Sequence, residues 1–247
     1  MSSNRLSLNS SKTQLIWLGT PQQLMKIDIS LLSKNFPQFT FSTCVRDLGV
    51  TLDSSLTFST HVTNLTRSSY FHLRRLRAIR RSVSLTTMTS IVHAFVCSRI
   101  DYCNSVLTGL PKVRLSPIQS VLNAAARLIA RLPKYSHISM FMVNQLHWLP
   151  LSARIQFKVL ALFLKSKLGL APKYLTDLIR PPLSASSHRP LRSRDRFDFF
   201  VPRAMTTITQ TRSFSIIGSS LWNTLPSTLR QTLLSGSLST SLSLSKT

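Results

Sequence analysis

The chain has no glutamate, and its seven acidic residues are all aspartate, against 31 lysines and arginines, so the formal net charge is +24. Too few carboxylates are present to neutralise the basic side chains within the protein. A chain with this excess is expected to meet a polyanion, most directly nucleic acid. An anionic membrane surface is the second interpretation, and nonspecific adhesion of a decayed reading frame is the third.

Cysteine pairs and long apolar runs are also scarce. The three cysteines form no Cys-x-x-Cys pair and leave an odd number, which argues against a disulfide framework and fits a reducing compartment. The apolar stretch at 15–19 is too short for the core of a signal peptide. No uncharged apolar run reaches roughly 18 residues, so no membrane span is expected. These features predict a nuclear or cytoplasmic protein that is not secreted.

Catalytic motifs are equally scarce. The six glycines form no phosphate-cradling loop. Asp195 and Asp198 lie in an arginine-rich stretch and are interpreted as solvated ion pairs rather than as an acid–base pair. His93, Cys97 and Cys103 have a spacing compatible with metal ligands, but buried core residues are the favoured interpretation because their helix is apolar nearly all round. We therefore expect no metal and no cofactor in this chain.

Hydrophobic residues make up 43% of the chain, enough for a folded core. The pattern predicts a mainly α (α+β) fold, with short N-terminal strands, then a helical bundle, then an irregular C-terminal segment. Strands are predicted over 13–19 and 45–52, and Gly49 in the second permits a bulge or the close approach of another backbone. The predicted helices occupy 60–81, 85–107, 117–132, 137–147, 152–168 and 172–179.

Local signals mark two of the helix starts. Ser84 follows a break in the helical period and can cap the helix at 85, while Ser116 reads as the cap of a helix with Pro117 at its first position. Beyond 182 the composition predicts a serine- and arginine-rich linker, a strand over 197–202 and an ordered piece around Trp222. The serine- and leucine-rich end is expected to fray.

The helix predicted over 60–81 holds five arginines in eight residues. At about 100° per residue, most of them share a face with an aromatic side chain, opposite an apolar stripe. The stripe of this helix is predicted to comprise Val62, Leu65, Ser69, His72, Leu76 and Ile79. The stripe of the 117–132 helix is predicted to comprise Ile118, Val121, Leu122, Ala125, Leu128, Ile129 and Leu132. Arginines with interleaved aromatics suit phosphates and stacking on bases, and a solvated helix face is the alternative. Cations at the end of the 117–132 helix can extend this surface. The residues predicted to contact nucleic acid are Arg67, Tyr70, Arg74, Arg75, Arg77, Arg81, Arg127, Arg131 and Lys134.

Two segments carry a resemblance to a known family. Residues 43–60 read Thr-Cys-Val-Arg-Asp-Leu-Gly-Val-Thr-Leu-Asp-Ser-Ser-Leu-Thr-Phe-Ser-Thr. Residues 90–132 include Ile-Val-His-Ala-Phe-Val-Cys-Ser-Arg-Ile-Asp-Tyr-Cys from Ile91 and Asn-Ala-Ala-Ala-Arg from Asn123. In this order and spacing they resemble the region just past the catalytic core in reverse transcriptases of non-LTR (LINE-type) retrotransposons. The resemblance covers roughly residues 1–230.

The resemblance implies an organisation along the chain. Residues 1–56 would be a remnant of the palm, residues 57–135 a thumb-like helical bundle that holds the template–primer duplex, and residues 136–182 connecting helices. Residues 183–247 would be a linker and a partly ordered tail. By the same resemblance, the primer-grip hairpin comprises Asp47, Leu48, Gly49 and Val50.

The resemblance also implies what this chain does not carry. Lys12 matches a lysine near the incoming nucleotide, with Gln14 where the family usually has glutamate. The catalytic aspartates precede that element, and two-metal catalysis with Mg²⁺ needs them. We therefore expect a C-terminal fragment of an RNA-directed DNA polymerase that binds RNA and DNA but is inactive without its fingers and palm. A repurposed non-catalytic nucleic-acid-binding or scaffold protein, or a non-functional remnant, is the alternative.

Overall fold

The computed structural model describes residues 9, 13–37, 39–179, 198–205 and 210–234. These residues are mainly helical, with 62% in helices and 7% in strands, which confirms the predicted mainly α class. They group into two compact units. The first unit combines Met1–Cys103 with Leu110–His147, and the second combines Asn104–Gly109 with Trp148–Thr247.

The N-terminal strand of the first unit is much shorter than predicted. Strand β1 covers only Gln14–Leu15 and pairs in parallel with β2, Thr40–Phe41. The two strands are joined through α1 (Pro21–Leu24) and α2 (Ile29–Asn35). A strand needs a hydrogen-bonded neighbour along its whole length, and β2 offers β1 only two residues. The predicted strand over 13–19 is therefore wrong beyond its first part.

The predicted strand over 45–52 is a β-hairpin instead. Strand β3, Cys44–Asp47, pairs antiparallel with β4, Val50–Asp53. Leu48 (φ 44°) and Gly49 (φ 85°) form the two-residue turn between them. Positive φ at both central positions is the geometry that joins tightly paired antiparallel strands. Gly49 thus makes a turn rather than a bulge, and a hairpin lies where the family resemblance implies one.

Helix α3 covers Ser59–Ile79 and continues into a 3-10 turn at Arg80–Ser82. Its predicted apolar face is confirmed in part, because Leu65 and His72 are only half-buried. The buried positions of α3 are Val62, Ser69, Leu73 and Leu76, of which Leu73 was not predicted. Ile79, predicted to face the core, is 45% exposed because the helix changes to the tighter turn immediately after it.

The predicted helix over 85–107 ends early and is not regular. It comprises α4 (Leu85–Val92), a π-helical turn (His93–Cys97) and α5 (Ser98–Asp101). Ser84 caps it as predicted, its hydroxyl accepting the Thr87 N–H at 3.1 Å. The chain then leaves the helix, and Cys103 adopts a positive φ of 50°. Asn104–Leu107 form a separate 3-10 turn, which belongs to the second unit.

Helix α6 covers Lys112–Ala130, so it begins five residues before the predicted start. Pro117 lies inside the helix, where its nitrogen cannot donate to the carbonyl of Val113. The Ser116 hydroxyl donates to that carbonyl instead, at 3.0 Å. Ser116 and Pro117 were predicted to start a helix but lie inside one, where the Ser116 hydroxyl supplies the hydrogen bond that Pro117 cannot make. The buried stripe of α6 is confirmed at Ile118, Val121, Leu122, Ala125, Leu128 and Ile129, while Leu132 is exposed.

The remaining helices are α7 (Ser139–Asn144) in the first unit, and α8 (Leu151–Lys167), α9 (Lys173–Thr176) and α10 (Phe214–Thr224) in the second. A further helix runs over 227–234. Phe163, Phe199 and Trp222 form the buried core of the second unit. Of the strand predicted over 197–202, the described part shows only an isolated bridge at Phe199. The predicted linker over 183–197 and the tail beyond 234 lie outside the described residues.

Candidate nucleic-acid interface

A groove of about 750 Å³ runs between α3 and α6, which pack against each other in the first unit. Helix α3 supplies one wall and α6 the other, and the turn after α6 closes one end. The side chains lining this stretch are Tyr70, Leu73, Arg74, Arg77, Ser120, Asn123, Ala124, Arg127, Leu128, Lys134 and Tyr135.

A second stretch of about 490 Å³ continues the groove toward the ends of the two helices. It shares Arg77, Arg127 and Lys134 with the first stretch and adds Arg81 and Arg131. The two stretches together are called the basic groove below. They bring together the side chains of six predicted cations, namely Arg74, Arg77, Arg81, Arg127, Arg131 and Lys134, with the predicted Tyr70.

Three of these cations are available to a ligand. Among the described residues, the guanidinium groups of Arg74, Arg77 and Arg81 make no hydrogen bond or ion pair with the protein. Arg127 and Arg131 are partly engaged: Arg127 Nε donates to the Ser136 carbonyl at 3.1 Å, and Arg131 Nη2 donates to the Arg80 carbonyl at 3.3 Å. No aspartate of the described residues lines the groove. The α3 side of the groove therefore offers positive charge and N–H hydrogen-bond donors to an anion.

Arg80 belongs to the same run of arginines but has a structural role that the sequence did not reveal. Its side chain is 7% exposed and donates to carbonyls of Leu128 (2.9 Å), Ile129 and Val83 (3.0 Å). The last carbonyls of a helix have no partner within it, so this arginine satisfies the end of α6. Burial, and secondarily the charge of Arg131, lowers the pKa of Arg80. The end of α3 is thereby fastened to α6, which fixes the width of the groove.

Arg67 and Arg75 were predicted to share this surface, but they do not line the groove. Arg67 is exposed on α3 outside both stretches. The guanidinium carbon of Arg75 lies 5.5 Å from the ring centroid of Phe71, on another flank of the helix. Tyr135, which the sequence analysis missed, does line the groove, and the Lys134 ammonium lies 5.3 Å from its ring centroid. The position of Tyr135 directly after the predicted cation Lys134 is the sequence feature from which its place in the groove could have been predicted.

The hairpin residues Asp47, Leu48, Gly49 and Val50 lie away from the basic groove. Tyr102, just after α5, donates its hydroxyl to the Leu48 carbonyl at 2.8 Å and so fastens the turn. The Thr51 N–H donates to His61 Nδ1 on α3 at 3.4 Å, and burial lowers the pKa of His61. A recess of about 690 Å³ lies beside this hairpin, with Arg46, Gly49, His61 and Arg99 among its lining. The predicted Lys12 lies outside the described residues.

The alternative metal site is not assembled among the described residues. Cys97 is buried in the core, whereas Cys103 is half-buried and His93 is exposed. The favoured interpretation of all three as buried core residues is therefore right for Cys97 and wrong for His93. No three His, Cys, Asp or Glu side chains cluster within the part of the chain that the structure describes. Likewise, no helix in that part is long and apolar enough to cross a membrane.

In comparisons of the chain with protein-family models, with curated proteins and with solved structures, no match was found. The case for a function therefore rests on the residues of the basic groove and on the resemblance of the two sequence segments. What the groove lining can do chemically is to present charge and hydrogen-bond donors to phosphates, with the rings of Tyr70 and Tyr135 beside them.

Proposed function

We propose that this chain binds duplex nucleic acid in the basic groove, as the thumb of a LINE-type reverse transcriptase holds template–primer duplex. The observation that carries the proposal is the row formed by Arg74, Arg77 and Arg81. These guanidinium groups have no protein partner among the described residues and face a groove without a carboxylate. Charge of this kind, gathered on one face, is the footprint of a nucleic-acid-binding surface.

The dimensions of the row support a phosphate backbone as its ligand. An α-helix rises about 1.5 Å per residue and a 3-10 turn about 2.0 Å, so Arg74 on α3 and Arg81 in the turn after it are separated by roughly 11 Å. One strand of a duplex presents a phosphate about every 3.4 Å of its axis. The row therefore matches about three phosphates of one strand, and the cations of α6 and its following turn face it across the groove.

Little sequence preference is expected from this arrangement. Contacts from arginine and lysine to phosphates position a protein on a duplex but carry no sequence information. Asn123 is the lining residue best suited to read a base edge, and its side-chain oxygen already accepts a hydrogen bond from Gln119 at 2.9 Å. The basic groove is accordingly proposed as a sequence-independent site.

We propose further that the purified chain does not polymerise DNA. The support is the resemblance, in which the catalytic aspartates precede the position of Lys12. A primer-extension assay on an RNA template with Mg²⁺ or Mn²⁺ tests this, and no extension above the protein-free control is expected. Template-dependent extension would contradict it. Binding of duplex is expected whether the chain acts within a polymerase or as a repurposed binding protein.

The groove is tested by a triple variant with a charge-matched control. The change Arg74→Ala/Arg77→Ala/Arg81→Ala removes the row, while Lys158→Ala/Lys165→Ala/Lys173→Ala removes the same charge from exposed sites in the second unit. We expect the groove variant to bind a duplex of about 20 base pairs on the order of 10-fold to 100-fold more weakly at moderate salt. The loss should be alike for unrelated sequences.

The control separates a site from bulk charge. If only net charge mattered, both triple variants would lose affinity equally, and the proposal would fail. The expected result is a change of less than about threefold for the control, because salt screens cations far from the ligand. Fluorescence anisotropy with a labelled duplex measures both, and circular dichroism checks that each variant is folded.

A further inference from the structure

A second feature of α3 lies on another flank of the helix, where aromatic rings are left open to solvent. The rings of Phe71 and Phe95 are 52% and 48% exposed. The half-buried His72 lies between them, with 5.6 Å from its ring centroid to that of each phenylalanine. These three residues are called the aromatic cluster below. Single exposed apolar side chains are common on this protein, but neighbouring exposed rings that form one patch are typical of a binding surface.

Cations flank the aromatic cluster on both sides. Arg75 lies over the Phe71 ring, and Arg99 donates from Nη1 to the Ser68 hydroxyl at 2.9 Å. Burial, followed by the charges of Arg99 and Arg75, lowers the pKa of His72 and favours its neutral form. No ion pair joins either arginine to a carboxylate within the described residues. The cluster thus presents uncharged flat rings between two available positive charges.

The backbone beneath Phe95 is specialised. Phe95 lies in the π-helical turn His93–Cys97, where the Ser98 N–H donates to the His93 carbonyl five residues back. The turn buries Val96 and Cys97 while it leaves Phe95 in solvent. Turns of this kind interrupt a regular helix at a cost and are found frequently at functional sites. The π-helical turn and the exposed ring coincide, which supports a role in binding.

This flank is separate from the basic groove. At about 100° per residue, Phe71 and Arg75 lie roughly 100° around the axis of α3 from the mean direction of Arg74, Arg77 and Arg81. None of the three cluster residues lines either stretch of the groove. A duplex in the groove and a ligand on the cluster would therefore contact different side chains of the same helix.

We propose that the aromatic cluster stacks the unpaired bases of a single-stranded nucleic acid, whose phosphates are met by Arg75 and Arg99. Aromatic rings set among cations are the combination that binds single strands without regard to sequence, because every base has a flat face and every linkage a charge. A buried protein partner would need no such cations, and a duplex offers no exposed base faces. The inference goes beyond the proposed function and does not depend on the groove.

The test compares two single-stranded probes of equal charge. One is a twelve-nucleotide oligothymidine, and the other has the same backbone with abasic sites throughout, so that only the bases differ. Wild-type protein should bind oligothymidine about 10-fold more tightly than the abasic strand, the contribution of one or two stacked bases. The double variant Phe71→Leu/Phe95→Leu keeps apolar bulk but removes the aromatic faces. It should bind both probes with nearly equal affinity.

The control is Phe157→Leu, which removes a 65% exposed ring from α8 in the second unit and should keep the preference for bases. The single variant Phe71→Leu gives a milder version of the experiment if the double variant does not fold. Wild-type protein with no preference for oligothymidine, or a folded cluster variant that retains the preference, would overturn the proposal. The Arg74→Ala/Arg77→Ala/Arg81→Ala variant should bind both probes more weakly by the same factor, so that the ratio of the two affinities is unchanged. Failure of this proposal can thus be told apart from failure of the proposed duplex site in the basic groove.

Discussion

Arg212 and Arg230 of the second unit donate to protein acceptors, whereas Arg74, Arg77 and Arg81 of the first unit have no acceptor among the described residues. Arg212 donates to the carbonyls of Thr108 at 3.1 Å and Val106 at 3.2 Å. Arg230 forms an ion pair with Asp198, which is the only ion pair among the described residues. Arg74 and its two companions in the basic groove have no such acceptor. The difference shows that the number of arginines does not locate a binding surface. What locates it is which arginines lack a hydrogen-bond acceptor within the protein.

The cores of the two units also differ, since that of the second unit is aromatic and that of the first unit is aliphatic between α3 and α6. In the second unit, the ring of Phe163 lies 5.1 Å from that of Phe199 and 5.5 Å from that of Trp222, centroid to centroid. The Lys167 ammonium lies 4.8 Å from the Phe199 centroid, and burial lowers its pKa. Basic groups there cover an aromatic core. In the first unit the core between α3 and α6 is aliphatic, and the exposed rings lie beside unpaired cations instead.

The largest expected effect is on the free energy of unfolding, and it tests whether the aromatic core stabilises the second unit. Phe163→Ala should lower the free energy of unfolding by about 3–5 kcal/mol, because a fully buried phenyl ring is lost among rings that cannot close the cavity. Phe157→Ala on the same helix removes an exposed ring and should change it by less than about 0.5 kcal/mol. Urea denaturation measures both. Equal effects of the two substitutions would show that this core is not formed.

The next effect separates two neighbouring arginines. Arg80→Ala should lower the free energy of unfolding by roughly 2–4 kcal/mol, because carbonyls at the end of α6 lose a charged donor. Arg81→Ala should leave stability within about 0.5 kcal/mol but weaken duplex binding a few-fold. Thermal denaturation and anisotropy distinguish the two. If Arg81→Ala were the more destabilising, the assignment of one arginine to the fold and the other to the ligand would be reversed.

The smallest effect concerns pH and the hairpin. Burial lowers the pKa of His61 in the folded protein below its ordinary value of 6.5, and its neutral Nδ1 accepts the Thr51 N–H. Below pH 6.5 the unfolded chain binds a proton at His61 more readily than the folded protein does. The contribution of neutral His61 to stability is therefore complete above about pH 6.5 and is lost as the pH falls through the lower folded pKa. His61→Gln keeps an acceptor without the titration. Its stability should fall less than that of the wild type between pH 7 and pH 5, and a parallel decline would exclude this role.

The parts of the fold that were predicted correctly rest on local chemistry. The apolar period of α3 and the cap at Ser84 depend on residues within one or two turns, and both are confirmed. Ser116 and Pro117 carry the same kind of local signal, yet they lie inside α6. There the Ser116 hydroxyl supplies the hydrogen bond that Pro117 cannot, and a helix start and a compensated interior proline look alike in the sequence.

The candidate site shows the same limit. Helical spacing placed Arg74, Arg77 and Arg81 on one face, and the structure sets that face opposite the cations of α6. Spacing alone did not distinguish Arg80 from Arg81, because the acceptors of Arg80 lie 48 and 49 residues away in the chain. The π-helical turn beneath Phe95 was likewise not foreseen, since its cause lies in packing rather than in the local pattern.

The measurement that tests the central claim most directly is the salt dependence of duplex binding by the wild-type protein. Besides the buried Arg80, six cations line the basic groove, and neutralising about six phosphates predicts a drop in affinity of roughly 10³-fold between 50 and 200 mM salt. The slope should become shallower by about three ions when Arg74, Arg77 and Arg81 are replaced together by alanine. An affinity that stays flat with salt, or a slope that the triple variant leaves unchanged, would contradict binding through this groove.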